Sequence, residues 1–250
     1  MTSRLPAGAL HGPGTRCTVV FIPLERTADV TMDGSTIAEL FLLAFALAAA
    51  LVVRPWRLLC PIASHQGLAT PLLAMLTILP WLWAWPTSAA MPVPLQWSGA
   101  ALAVLMLGWP LAVPVLVVAG LSTILTAGLS WTEALDMTVW SGVLPATMVL
   151  LLGQGVRTVF GTHPAAYLLG RAFAVPLAAL FVRTLGAVAA GQGFTAEDSE
   201  MQVVTAFLLA LGESTWTCAV ASILVAWRPQ WLATWSDALY LGPRRPASST

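Results

Sequence analysis

The chain contains no lysine and few charged residues of any kind. Charged residues make up 9% of its 250 residues and hydrophobic residues 58%, and eleven arginines balance eleven carboxylates. A water-soluble domain carries roughly a quarter charged residues, so this composition excludes that class. Mean hydropathy is +0.83. The composition predicts an integral membrane protein, whose surroundings are membrane lipid and not nucleic acid.

The sequence also lacks the short motifs of the common membrane enzymes. It contains no His-Glu-x-x-His, no aspartate-rich prenyl-diphosphate motif and no Gly-x-Ser-Gly with a distal histidine. Its three cysteines have no metal-ligand spacing. No phosphate-binding P-loop is present. We therefore expect no enzyme activity, and active transport would take its energy from a partner or an ion gradient.

Long apolar runs predict an all-α, polytopic membrane bundle of six to seven transmembrane helices. A helix needs about 20 apolar residues to cross the hydrocarbon core. Seven segments meet or approach this length: Ile37–Val53, Ala69–Trp85, Trp97–Leu107, Pro110–Gly128, Thr132–Phe160, Pro164–Ala190 and Met201–Trp227. The third segment is short and is paired with the fourth across Gly108. It is either one arm of a tight helical hairpin or a half-helix.

The distribution of arginine predicts the orientation of the bundle. Arginines follow the first, fifth and last spans, whereas the acidic residues 197–200 lie between the sixth and seventh. With seven crossings and the N-terminus outside, these arginines lie on the cytoplasmic side of a bacterial inner membrane. The bundle then covers residues 36–241, between a disordered tail at 1–35 and a polar tail at 242–250. Met32 is an alternative start.

Charged side chains inside the spans are the candidate functional residues. Glu213 lies near the middle of the last span, and Arg171 and Arg183 lie in the sixth. A charge at the bilayer centre costs about 3 kcal/mol or more, so each should have a partner or a water-filled cavity. Glu213 therefore either lines a polar cavity or pairs with Arg183 or Arg171 to fix helix register. Glu39 and Asp136 lie nearer the outer surface, where an interfacial position is the simpler interpretation.

Several stretches resemble a known family of permeases. They are Leu95–Leu102 with Leu107–Ala112, Ala134–Met137 with Gly142–Pro145, His163–Tyr167 and Trp227–Leu241. Together they resemble the energy-coupling factor permeases, the cobalt/nickel-type substrate-binding membrane subunits associated with cobalamin biosynthesis. The resemblance covers roughly residues 36–241. The ending, Trp227–Leu241, is similar to the tail of a divergent branch of this family whose members are described only as predicted membrane proteins. It implies a helical permease subunit that works with a coupling transmembrane subunit and an ATPase subunit.

The chain departs from this family at the positions of the family's metal ligands. Metal-binding members use the free amino terminus, the histidine after it and a histidine opening the short third helix. Here the chain begins Met1-Thr2-Ser3, and Gln96 occupies the position of the third-helix histidine. A carboxamide is a poor ligand for cobalt or nickel.

Two functions remain open from the sequence. The first is the substrate-binding subunit of an uptake system, with a divalent transition-metal cation, cobalt or nickel, as the candidate substrate. Its cavity would then use Gln96, Glu39, Asp136 and Glu213, with Arg183 beside them. The alternative is a non-transporting membrane scaffold or assembly protein that kept the fold and lost the metal site.

Overall fold

The protein is helical throughout the part of the chain that its structure describes. A computed structural model describes residues 34–58, 68–88, 97–189 and 199–241. Every regular element within these ranges is a helix, which confirms the predicted all-α bundle. Almost all of the two predicted tails, and Gln96, lie outside the described residues.

The helices follow the predicted runs closely. They are α1 (Gly34–Val52), α2 (Ala69–Ser88), α3 (Ala100–Leu107), α4 (Trp109–Thr126), α5 (Trp131–Met137), α6 (Leu144–Phe160), α7 (Val175–Ala189), α8 (Ser199–Trp227) and α9 (Asp237–Tyr240). A π-helix, Thr138–Val143, joins α5 to α6, and a second, Ala166–Ala174, leads into α7. Short 3-10 turns lie at Pro55–Leu58 and Pro229–Trp231.

Five helical runs in the described part of the chain are long and apolar enough to cross a membrane. They are Gly34–Val52, Trp109–Thr126, Trp131–Phe160, Ala166–Gly186 and Val203–Trp227, and Ala69–Trp85 in α2 is a shorter apolar helix. Six of the seven predicted spans therefore correspond to long apolar helices, five of spanning length and one slightly shorter. Many large apolar side chains on them face outward, as expected for lipid contact.

The third predicted span is a half-helix. The eight residues of α3 cover about 12 Å at 1.5 Å per residue, which is less than half of a bilayer core. The short third helix is therefore a half-helix, and it is paired with α4 across Gly108, as the sequence predicted.

The half-helix runs from the interior of the bundle to one end of it. Its N-terminus contacts Glu213, which lies fourteen residues, or about 21 Å of helix, before the end of α8 at Trp227. At its other end, the amides of Ala233 and Thr234 donate hydrogen bonds to carbonyls of α3 (3.0 and 3.3 Å). These residues follow α8 by six and seven positions, so the segment after α8 returns to the C-terminal end of α3.

The half-helix is also the most enclosed element of the described structure. Seven of its eight residues are buried. Ala100, Ala101 and Ala103 have no exposed surface, and the larger side chains of α3 join the central apolar cluster. Small side chains let neighbouring helices approach closely in a membrane. This is why a short polar-ended helix can sit inside an otherwise apolar bundle.

Candidate functional site

The buried carboxylate of Glu213 lies at the N-terminus of the half-helix. Its side chain is only 3% exposed. Its two oxygens accept hydrogen bonds from the backbone amides of Ser98 and Gly99, both at 2.8 Å. The first amides of a helix have no partner within it, and the helix dipole favours an anion there. The half-helix therefore compensates the charge of Glu213.

Gly99 gives the backbone the conformation that this contact requires. It has φ +65°, in the left-handed region that side chains disfavour. A Cβ atom at this position would lie 2.6 Å from Cδ2 of Leu79. Glycine is therefore required both by the backbone angle and by the close approach of α2.

Ser98 connects the half-helix to two further elements. Its carbonyl accepts a hydrogen bond from the indole N–H of the buried Trp83 in α2 (2.9 Å). Its hydroxyl donates to the backbone carbonyl of Ser141, in the π-helix before α6. Pro145 stands four residues after Ser141 and has no amide hydrogen to donate to that carbonyl. The hydroxyl of Ser98 therefore supplies a donor that the α-helical pattern would otherwise provide.

Arg183 completes the network from α7. Its Nη1 atom donates a hydrogen bond to the hydroxyl of Ser141 (3.1 Å). Electrostatically it interacts with the carboxylates of Glu213 and Asp136. Arg183 is thus linked to Glu213 through Ser141 and Ser98, and not by direct contact.

The register pairs that the sequence suggested are replaced by this network. Among the described residues, Glu213 takes its hydrogen bonds from backbone amides and from neither arginine. Arg171 lies elsewhere, against Gly153 of α6. Of the two predicted pairs, Glu213 and Arg183 interact electrostatically but share no hydrogen bond, and Glu213 has no hydrogen bond with Arg171. A half-helix N-terminus supplies the positive end that an arginine was expected to supply.

The remaining predicted site residues are distributed around this centre. Glu39 of α1 is buried and accepts a hydrogen bond from the indole of Trp140 (3.2 Å), the residue before Ser141. Asp136, in α5, interacts electrostatically with Arg183. Gln96 lies outside the described residues. The structure therefore brings Glu213, Arg183 and Asp136 together, with Glu39 at a neighbouring contact.

An apolar cavity of about 390 Å³ adjoins the carboxylate. It lies between α2, α3 and α8, and its lining combines Glu213 and Gly99 with aliphatic and aromatic side chains: Ala74, Met75, Ile78, Leu79, Leu82, Trp97, Leu102, Met106, Trp216, Thr217, Val220, Leu224 and Trp231. Trp97 and Trp216 meet edge to face, with ring centroids 6.3 Å apart. Ile78 and Trp216 are 55% and 54% exposed, so the cavity opens toward the lipid-facing side of the bundle.

The chemistry of the cavity suits an apolar molecule better than a bare metal ion. Within the described ranges, no three histidine, cysteine, aspartate or glutamate side chains converge as metal ligands. Each oxygen of Glu213 already accepts one hydrogen bond. A carboxylate oxygen has two acceptor sites, so each can accept one more donor. The wall can thus receive one ammonium or N–H group of a largely apolar ligand.

Sequence reasoning did not identify Ser98, Gly99, Ser141 or Trp83 as site residues. Two signals pointed to them. Ser98-Gly99 directly precedes an alanine-rich apolar segment too short to span, and Pro145 follows Ser141 by four residues. The first signal indicates a helix start at Ser98-Gly99, and the second indicates that Pro145 cannot bond the carbonyl of Ser141. Neither signal shows that the helix start and this carbonyl contact each other.

Comparisons with family models, curated proteins and solved structures found no match for this chain.

Proposed function

We propose that the chain is a membrane-embedded substrate-binding subunit of a permease. The carrying observation is the apolar cavity with the Glu213 carboxylate in its wall at the start of a half-helix. Secondary transporters often bind solutes where a helix is interrupted near the middle of the bilayer, because helix ends there offer unpaired backbone groups. The same geometry is available here beside an open cavity.

The substrate class that fits the cavity is a small, largely apolar molecule with one cationic or N–H group. Ligand sites of roughly 300–1,000 Å³ hold molecules of moderate size, and most are lined by apolar side chains with a few polar groups. The volume and lining of this cavity lie within that description. An apolar substrate can also reach the cavity through the bilayer, since two of its lining side chains face outward. This substrate class takes the place of the divalent metal considered from the sequence.

The partners and the membrane orientation belong to the same proposal. The sequence contains no P-loop, so transport against a gradient would take its energy from a partner or an ion gradient, and the proposed partners are a coupling transmembrane subunit and an ATPase subunit. An inner-membrane location with the N-terminus outside and the C-terminus in the cytoplasm follows from the arginine distribution.

A matched pair of cavity variants tests binding. Val220→Trp places a large ring in the cavity, whereas Ile223→Trp, one turn later on α8, adds the same ring on an exposed face. The probes are toluene and benzylamine, which differ by one amine, and the readout is the thermal midpoint of the detergent-purified chain. We expect both probes to stabilise the wild type and Ile223→Trp but not Val220→Trp, and benzylamine to stabilise more strongly than toluene. Equal shifts in all three proteins would contradict a binding cavity.

One observation favours the scaffold as a second candidate. Each oxygen of Glu213 accepts a hydrogen bond from a backbone amide at the start of the half-helix, so the carboxylate has a structural role in holding α3. A scaffold requires no ligand and no ATPase. Purifying the chain from its native membrane and assaying ATP hydrolysis separates the two: co-purifying activity supports the permease subunit. Its absence, together with absent probe binding, supports the scaffold.

A further inference from the structure

Arg171 is a buried cation without a partner in the described structure. Its side chain is 7% exposed, and its Nε atom is buried without a hydrogen-bond acceptor. The guanidinium group stays charged in proteins and carries five N–H donors. Leaving a buried donor without an acceptor costs free energy. A buried donor without a partner therefore calls for a ligand that is missing from the protein alone, such as a bound ion.

The surroundings of Arg171 do not supply the missing acceptor. Gly153 of α6 lies against the side chain, and a Cβ atom there would be 3.2 Å from Nε. Tyr167, one turn earlier, interacts electrostatically with Arg171. However, its hydroxyl is bonded to Thr234 (2.8 Å). Because the Thr234 hydroxyl donates to the carbonyl of Leu105, the Tyr167 hydroxyl donates to Thr234 and so holds the segment that follows α8. No hydrogen bond from Arg171 to Tyr167 is formed.

The position of Arg171 in the fold separates it from the Glu213 cavity. It lies in the π-helix Ala166–Ala174, an element that is rare and frequent at functional sites. The lining of the cavity does not include it. Tyr167 of the same π-helix packs against Trp235 and Tyr240, so this site lies at the end of the bundle where α8 ends.

We propose that Arg171 binds an oxyanion, the phosphate or carboxylate group of a ligand that approaches this end of the bundle. A guanidinium matches such a group with two parallel hydrogen bonds. Arg171 is seven residues from Pro164, or roughly 10 Å of helix. A long arginine side chain reaches toward the interface from this depth. The oxyanion can come from the headgroup of an anionic lipid or from a small soluble anion.

Lipid retention tests the first source. The purified chain is delipidated, titrated with phosphatidylglycerol or phosphatidylcholine, and examined by native mass spectrometry. Arg171→Met removes the charge while keeping an apolar chain of similar length, and Arg157→Met is the matched control because Arg157 is exposed in the last turn of α6. We expect Arg171→Met to weaken retention of phosphatidylglycerol at least roughly tenfold, the loss of one charge-assisted hydrogen bond. Arg157→Met and phosphatidylcholine should show no such dependence.

Thermal unfolding with inorganic phosphate or acetate tests the second source. A midpoint that rises with either anion in the wild type but not in Arg171→Met assigns the site to a soluble anion. Without any anion, Arg171→Met should unfold at a higher temperature than the wild type, because it removes the uncompensated charge. Gly153→Ala keeps the charge of Arg171 but places a methyl group against its Nε atom. It should therefore weaken the binding of the same anion, which provides a second test if Arg171→Met fails to fold. Equal binding of all lipids and anions by the wild type and Arg171→Met would overturn the proposal.

Discussion

The carboxylate of Glu213 and the backbone amide of Gly99 lie 2.8 Å apart, although 114 residues separate them in the chain. This contact joins the middle of the last transmembrane helix to the start of a half-helix inside the bundle. The helix end stabilises the buried anion, and the anion satisfies amides that no helical carbonyl can reach. Each of the two elements therefore removes the main energetic cost of burying the other.

Replacing Glu213 with glutamine should destabilise the fold, despite the similar shape. The amide group of glutamine presents an N–H₂ donor where the backbone of Ser98 or Gly99 also presents a donor. One buried amide then loses its acceptor, which costs about 1–3 kcal/mol. Thermal unfolding in detergent measures the loss. Thr215→Val, at an exposed position two residues later, is the control, and equal midpoints in both variants would contradict the capping role.

Gly99→Ala should destabilise the protein while Gly155→Ala does not. The left-handed angle alone costs a non-glycine residue about 1–2 kcal/mol, and the new methyl group would also contact Leu79. Gly155 lies inside α6 with open space around it, so alanine there should be neutral or slightly stabilising. The comparison uses denaturation midpoints of the two variants. A stable Gly99→Ala protein would mean that the start of α3 adopts another backbone path.

The hydrogen bond from Ser98 to Ser141 should be coupled energetically to Pro145. Ser98→Ala removes the donor to the Ser141 carbonyl and should cost about 1 kcal/mol or more. Pro145→Ala restores an amide hydrogen four residues after Ser141, which can bond that carbonyl within the helix. The cost of Ser98→Ala should therefore be smaller in the Pro145→Ala background. A double-mutant cycle on unfolding free energies tests this, and strict additivity would rule out the compensation.

Single cysteines at positions 127 and 162 should label from opposite sides of the membrane. The helical run Trp131–Phe160 between them has 30 residues and is apolar enough to span. In a chain whose three native cysteines are replaced by serine, a membrane-impermeant maleimide applied outside intact cells should react with Ala127→Cys. Thr162→Cys should react only after the cells are opened. Labelling of both from the same side would contradict both the span and the proposed orientation.

The sequence predicted six of the helices with small errors at their ends. Continuous apolar runs such as residues 34–52 and 109–126 form helices because every backbone polar group must be satisfied within its own segment in lipid. It also singled out Glu213 correctly as a buried charge. It did not predict the partner of that charge, since nothing local in the sequence distinguishes an arginine one helix away from an amide 114 residues away.

The sequence by itself determined that this protein folds in a lipid bilayer and not in water. With 9% charged residues and 58% hydrophobic residues, it has too few polar side chains to cover a surface in water and enough apolar length to form a bundle in lipid. Only the tertiary structure decided how its few charges are accommodated. The start of α3 inside the bundle, the hydrogen bond to the Ser141 carbonyl and the cavity beside Glu213 each arise where separate helices meet. Such contacts depend on distances in space, which a residue pattern along one chain does not encode.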